Sequence, residues 1–561
     1  MSAPSAARRR SWPARLAHGL VEAGALPLAR ARAKALLLED ARRSQRQALD
    51  RILAGAASTA FAVEHGLGNG AADRRAFHRA PSLARAFATL PVQTYESLLP
   101  YIERCLRGEA NVLAPGLIEA FAVSSGTTAA STKYLPVNAA MTANFRRGGL
   151  DALYLYAARS GRASVFGGKQ LFLGGATALE QVRSDPRVLS GDLSGIMARR
   201  MPWLVERLLY EPGPEIALLA DWPSKVRAIA ERTFDQDVRL VAGIPSWLLV
   251  LFEALREEGA RRGVRVDTVH DVWPRLEVIV HGGVQWGPYR ALFDRWLARP
   301  IAFQEVYPAS EAFVAVQDRG SGEGLRLLTD AGVVFEFLPV ALVQNGVPTP
   351  GARPLSLDTV EIGRDYAVVL TTPGGLWRTL LGDVVRFVGL APPRLEFVGR
   401  TRLELSAFGE HVIEHEVVAA VSAAVDRFEL QVRDFTVAPL FPMGAANGAR
   451  GRHQWILELA GPAVPSSVLA DLLDRTLSAK NDDYRAKRDG GGLLPPVVVL
   501  APPGTFDRAL AGLGRLGGQH KVARLRSDRV FADAVLAASL SSGSPHGAPD
   551  LARAASPVTA L

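Results

Sequence analysis

Cysteine is almost missing from this 561-residue chain: Cys105 stands alone, so no intrachain disulfide framework can form. It lies in TYESLLPYIERCLRG, an amphipathic helical pattern, where a buried small residue is expected rather than a nucleophile. Long apolar runs are missing too. The most apolar stretch, LVAGIPSWLLVLF, is interrupted by Pro245, ends at Glu253 and falls short of the roughly 20 residues that a membrane span needs. The basic N-terminus, MSAPSAARRRSWPARLAHGL, meets Glu22 and further arginines instead of a sustained apolar segment, so no signal peptide is expected and the cytoplasm is the expected compartment. Lysine is scarce: Lys34, Lys133, Lys169, Lys225, Lys480, Lys487 and Lys521 are the only ones, against 65 lysines and arginines together. In an arginine-rich chain a retained lysine is a candidate compact point charge, and Lys133 and Lys521 both sit in glycine-containing surroundings.

What is present describes a globular protein of two or more domains, with 48% hydrophobic and 22% charged residues. The net charge of +9 is spread along the chain, which favours anionic ligands. No concentrated basic patch interleaved with aromatics exists, and this argues against a nucleic-acid module. The first sixty residues carry helical periodicity, as in LARARAKALLLEDARRSQRQALDRIL, and suggest one opening helix. From about residue 117 strands and helices alternate, which points to an α/β sheet with ligands at the loops after the strands. Beyond 325 short β-like runs, GVVFEFLPV, YAVVLTTP, VVRFVG and RLEFVG, are separated by Gly and Pro. After Arg400 a smaller α+β unit begins. The expected organisation is a large domain over 1–399, a small one over 400–540, and a tail over 541–561 with the composition of a disordered segment.

Four stretches carry chemistry. SSGTTAASTK lacks the second glycine of a Walker loop, yet it combines small residues that expose backbone N–H groups, hydroxyls at Ser124, Ser125, Thr127 and Thr128 around Gly126, and the cation Lys133. FQEVYPASEAF places Tyr307, Ser310 and Glu311 after a strand, a placement suited to a ring stacker, a phosphate contact and a magnesium carboxylate. WRTLLGDVVRFVG sets Asp383 beside Gly382 at an expected strand turn, where a carboxylate can accept both hydroxyls of a ribose. FDRALAGLGRLGGQHKVARL ends a helix in glycines and presents Lys521. Each alone has a bland reading as a turn, a surface charge or a helix cap; the set is harder to dismiss.

Together, SSGTTAASTKYLPV, YPASEAF, WRTLLGDVVRF, LEFVGRTRLELSAFGEH and PPGTFDRALAGLGRLGGQHKVARL resemble, in order, the motifs of the auxin-responsive type of acyl-acid amido synthetases, a family with many bacterial relatives. That family is a branch of the acyl-adenylate-forming superfamily, and the resemblance runs from about 90 to 530. It implies an α/β fold with a large adenylate-forming domain and a smaller mobile α+β domain. It implies Mg-ATP, a carboxylic acid activated as its adenylate with release of pyrophosphate, and transfer of the acyl group to an amine, typically an amino acid. By the same resemblance Ser124 to Thr128 would hold the phosphates, Glu311 the Mg²⁺, and Ser310 would lie near the α-phosphate. Tyr307 with Gly282 and Gly283 would line the adenine, Asp383 would bind the ribose, Arg400 would sit at the hinge, and Lys521 would swing in to the adenylate. Plant members usually have glycines where this chain has Ala129 and Ala130, an arginine–tyrosine–arginine run at WRTLL, and often lysine near His411. These departures are compatible with the ATP chemistry and tell against the plant hormone substrates.

Three rival readings come from the same residues. His411, Glu414 and His415 form H-x-x-E-H, which on a helix puts both imidazoles on one face as in inverted zinc peptidases. Gly512, Gly514 and Gly517 satisfy G-x-G-x-x-G, but TFDRALA before them reads as helix where a dinucleotide fold needs a strand. An acid–thiol ligase transferring the acyl group to coenzyme A would share the first half-reaction.

Overall fold

The computed structural model describes residues 12–68, 80–124, 133–174, 179–182, 185–219, 221–283, 286, 289–344, 346–401, 404–441, 450–459, 464–513 and 522–540. Among these, eleven strands form one long sheet whose two halves are built differently. In one half Tyr210–Glu211, Lys169–Leu173, Val238–Gly243, Val278–His281 and Ala302–Pro308 run parallel. The other half continues antiparallel through Phe313–Val316, Leu325–Leu327, Pro393–Arg400, Thr379–Leu390, Asp365–Thr371 and Val334–Pro339. Parallel strands need crossovers, and the helices Trp222–Thr233 and Pro245–Arg261 supply them. Leu248, Leu249, Leu251, Phe252 and Leu255 are fully buried, which explains why the most apolar stretch of the chain is a core helix.

A second sheet, in the order Lys133–Pro136, Ala120–Ser124, Asp185–Gly191, Glu180–Val182, carries the hairpin on either side of the Ser/Thr-rich loop. Ser124 stands opposite Lys133 in its register. The Lys133–Pro136 strand runs on into the Ala139–Ser160 helix, capped by Asn138, whose side chain accepts from the Met141 N–H at 3.0 Å.

The expected single opening helix is two, Trp12–Leu37 and Ala41–Ala56. The break comes at Asp40, which accepts from the Arg43 N–H at 3.1 Å and so starts a new helix. Both dock by polar contacts that periodicity does not reveal. Arg32 reaches Asp151 at 2.6 Å and Asp330 at 2.7 Å, and buried Gln45 donates to the carbonyls of Thr329 and Val333 at 2.9 Å each.

Beyond Arg400 a separate three-stranded sheet, Val432–Leu440, Arg452–Leu459 and Val497–Ala501, packs with the helices Glu414–Phe428 and Ser466–Lys480. The sequence reading missed the first of these strands because Arg433, Asp434 and Pro439 blur its alternation. This unit shares a core with the parallel half of the long sheet. The Tyr289 hydroxyl donates to the Ala407 carbonyl at 2.7 Å, and the Lys487 ammonium sits 3.9 Å from the Trp247 ring centroid. Cys105 is buried, and burial pushes its thiol up to about 11, so it is not an activated nucleophile. No helix among the described residues is long and apolar enough to cross a membrane. The expected tail over 541–561 lies outside the described residues.

Candidate active site

Ligands of α/β sheets gather beyond the carboxyl ends of parallel strands, and several of the sequence-predicted residues that the structure describes meet there. Val278–His281 leads directly to Gly282, where a Cβ would lie 2.1 Å from the Val306 carbonyl oxygen. Gly283 follows with φ +79°. The backbone therefore passes close beside the Ala302–Pro308 strand, and this strand carries Tyr307 rather than preceding it. Ser310 and Glu311 occupy the turn into Phe313–Val316, closed by the Ala309 N–H donating to the Ala312 carbonyl at 2.9 Å.

Asp383 does not sit at a strand turn as expected. It lies inside the continuous Thr379–Leu390 strand, at a bulge where Leu380 opposes Val369 but Val384 already opposes Ala367. Gly382, at φ +95°, lets the strand kink and pair again instead of ending. The bulge aims the carboxylate at Tyr307, whose hydroxyl donates to Asp383 Oδ2 at 2.5 Å. The tyrosine ring meets Phe397 edge-on at 6.0 Å. The other oxygen, Asp383 Oδ1, is buried and accepts no hydrogen bond, although Arg400 Nε stands 2.9 Å away. A buried carboxylate oxygen without a hydrogen bond is costly, and a hydroxyl donor from a ligand would fill it.

Arg400 reaches Asp383 because the two face each other across the ladder. Its Nε also lies 3.0 Å from Glu404 Oε1, and His411 Nδ1 lies 3.6 Å from the same oxygen and 3.1 Å from Ser406 Oγ. A polar chain therefore runs from Tyr307 through Asp383, Arg400 and Glu404 to His411, across the joint between the long sheet and the C-terminal unit. Glu404 was not singled out from the sequence; its only signal was a carboxylate four residues from Arg400.

The charges follow from burial and from one another. Burial pushes the Tyr307 phenol well up, with the Asp383 charge adding to it. Burial likewise raises Asp383, against the pull of Arg400. Burial disfavours the Arg400 cation, but Asp383 and Glu404 outweigh it and raise the group. For Glu404 burial is outweighed by Arg400 and by the His411 hydrogen bond, and its carboxyl is lowered. Burial opposes the His411 cation, and the Glu404 hydrogen bond overcomes that and raises it. Burial raises Glu311, and the nearby Lys133 charge is the largest force against that rise. The Lys133 charge acts on Glu404 as well, while its ammonium lies 5.5 Å from the Tyr95 ring centroid.

Ser125, Gly126, Thr127, Thr128 and Lys521 lie outside the described residues. The structure contradicts the H-x-x-E-H reading. His411 stands at φ +45° ahead of the strand Val412–Ile413, and the helix begins only at Glu414, so no helical turn joins His411 to His415. No group of three or more metal-ligating side chains is found among the described residues. The first glycine of the G-x-G-x-x-G, Gly512, ends the helix Thr505–Gly512, so a helix and not a strand precedes the motif, as the sequence reading held.

Comparison with known proteins agrees with this geometry. The GH3 family N-terminal domain matches residues 33–299, the GH3 family central domain 326–400, and the GH3 family C-terminal domain 415–530. A probable indole-3-acetic acid-amido synthetase, GH3.4 of Oryza sativa subsp. japonica, is 27% identical over 543 residues, covering 84% of this chain and 83% of that protein. The jasmonoyl–L-amino acid synthetase JAR6 of Nicotiana attenuata is 24% identical over 551 residues, covering 87% and 91%. Among solved structures, AtGH3.15 acyl acid amido synthetase in complex with 2,4-DB superposes with a TM-score of 0.57 at 19% identity, covering 90% of this chain and 95% of that one. With three successive domains of one family matched in order along it, the chain belongs to the GH3 family.

Proposed function

We propose that the protein is an ATP-dependent acyl-acid amido synthetase that activates a carboxylic acid as its adenylate and passes the acyl group to an amine, an amino acid being the expected acceptor. The observation that carries this reading is convergence. The end of the Ser124–Lys133 hairpin, Glu311, and the Tyr307–Asp383–Arg400 chain come together at the carboxyl end of the parallel strands, beside the glycine step at Gly282.

A free carboxylate is a poor electrophile because its leaving group would be oxide. In the first step a carboxylate oxygen attacks the α-phosphorus of ATP, the bond to the bridging oxygen breaks, and pyrophosphate leaves with the electron pair. In the second step the amine nitrogen attacks the acyl carbon, loses its proton, and AMP departs. Such phosphoryl chemistry asks the protein mainly for positioning and for neutralisation of charge. Asp383 Oδ1, ion-paired with Arg400 but accepting no well-formed hydrogen bond, would take a ribose hydroxyl, and Gly283, with open space where a Cβ would stand, would leave room for the base beside Tyr307. Ser124 to Thr128 with Lys133 and Ser310 hold the phosphates. Glu311 suits Mg²⁺, which binds through one or two carboxylates plus substrate phosphates, and the bound ion would neutralise charge on them. Arg400, tied to both Asp383 and Glu404, is placed to act as a hinge between a large domain over 1–399 and a lid over 400–540 that carries Lys521. A reaction that consumes ATP is expected in the cytoplasm.

The test is acid-dependent exchange of labelled pyrophosphate into ATP, screened over a panel of carboxylic acids, with product analysis when amino acids and coenzyme A are offered together. Exchange followed by amide formation is the expected result. A thioester would assign the protein to acid–thiol ligases, and no exchange with any acid at saturating Mg-ATP would overturn the reading. Lys521→Ala is expected to slow adenylation about a hundred- to a thousandfold with little change in ATP binding, because its charge is used as the α-phosphate is attacked.

A further inference from the structure

A cavity of about 760 Å³ lies between the second opening helix, the start of the hairpin and the loop after Asp365–Thr371. The nucleotide reading does not use it. Glu119 and Asn138 in its wall stand at the opposite ends of the two hairpin strands from Ser124 and Lys133, roughly 15 Å away at the usual rise of about 3.3 Å per strand residue. Its volume falls within the range of about 300–1,000 Å³ that small-molecule pockets occupy.

The lining is amphipathic. Ile52, Leu113 and Leu117 make an apolar wall. Facing it are Arg51, Arg146 and Arg200, against a single carboxylate, Glu119. Arg200 is fixed: its Nη1 donates to Thr142 Oγ1 at 2.7 Å and to the Val137 carbonyl at 3.2 Å. Arg146 Nη2 donates to the Arg200 backbone carbonyl, and the Arg146 charge is near enough to act on the Arg200 guanidinium. Neither makes an ion pair with a carboxylate among the described residues. Burial pushes the Arg200 guanidinium down, Glu119 pulls it the other way, and the Arg146 charge adds a smaller push downward. Two neighbouring cations at the edge of an apolar space repel each other, and an anion set between them removes that repulsion. The planar fork of arginine matches a carboxylate in particular.

We propose that this cavity binds an amphipathic carboxylate, with its carboxylate on Arg146 and Arg200 and its apolar body against Ile52, Leu113 and Leu117, at a site separate from the nucleotide site. The inference stands independently of the proposed reaction. The occupant also touches Thr372 and Pro373, and the Pro373 carbonyl accepts from Asn138 Nδ2 at 2.7 Å, so the bound body lies against the loop that feeds the strand carrying Asp383.

The experiment is isothermal titration of the full-length protein with 4-phenylbutyrate and with its neutral amide, with and without saturating ATP. The acid is expected to bind about tenfold or more tightly than the amide, Arg146→Gln and Arg200→Gln each to weaken it about tenfold, and ATP not to displace it. Equal affinity for acid and amide overturns the proposal, as does parental affinity in the variants or displacement by ATP. Arg146 is exposed, so its variant decides the matter even if Arg200→Gln lowers the melting temperature.

Discussion

Arg378 and Arg400 both pair with carboxylates of the antiparallel half-sheet, and they do so in opposite ways. Arg378 is saturated. Its Nε and Nη2 grip Glu336 at 2.8 and 2.6 Å, its Nη1 donates to the carbonyls of Phe87, Ala88 and Leu90, and its guanidinium carbon lies 4.9 Å from the Phe87 ring centroid. Arg400 sets its Nε between Asp383 and Glu404 and makes only a long 3.4 Å hydrogen bond from Nη1 to Glu404, and Asp383 keeps a buried oxygen without a hydrogen bond. The first arrangement fastens the opening helical region to the sheet. The second leaves bonding capacity open, which is how a binding site differs from a structural ion pair made of the same residue types.

Arg378→Ala should break the molecule where it is most tightly tied, costing about 3–5 kcal/mol in urea unfolding because Glu336 and three carbonyls lose their partner. Asp383→Asn should change that midpoint little yet weaken ATP about ten- to a hundredfold in equilibrium titration, the cost of one or two hydrogen bonds to a charged acceptor. If the two variants behaved alike, the contrast between saturated and open arginines would be wrong. Glu311→Gln should raise the magnesium concentration needed for half-maximal pyrophosphate exchange, and the parent should need more magnesium as pH falls through the raised Glu311 value, since protonation removes the ligand. An unchanged requirement would remove Glu311 from the metal. The smallest effect belongs to His411. Its folded value is raised by Glu404, so its contribution to stability is complete below about pH 6.5 and disappears as pH rises through the folded value. Glu404→Gln should flatten that part of the stability–pH curve, and a curve of unchanged slope would show that the pair does not couple.

The open cluster was legible in the sequence in part, and the reasons differ residue by residue. Tyr307, Glu311 and Asp383 stand beside glycine or turn residues in otherwise apolar runs, where a polar side chain is conspicuous. Glu404 lies in RTRLELS, where a carboxylate looks like ordinary surface charge, and only the ladder pairing of Asp383 with Arg400 brings it in. The Gly382 signal was read as a turn because glycine marks turns and bulges alike, and only the partner strand distinguishes them. Arg378 drew no attention for the opposite reason: its partners Glu336, Phe87, Ala88 and Leu90 are far away along the chain. The H-x-x-E-H pattern misled because spacing carries meaning only on a helix, and the helix starts three residues too late.

By itself the sequence determined the alternation of strands and helices, the ordered motifs and the candidate residues for a nucleotide site, since these depend on local periodicity and on chemistry that each side chain brings with it. Tertiary structure alone decided which of those residues come together, which arginine is satisfied and which is left open, and where a cavity lined by Arg51, Arg146 and Arg200 lies. Those outcomes rest on pairings between residues distant along the chain, and a pairing has no local signature until both strands are in register.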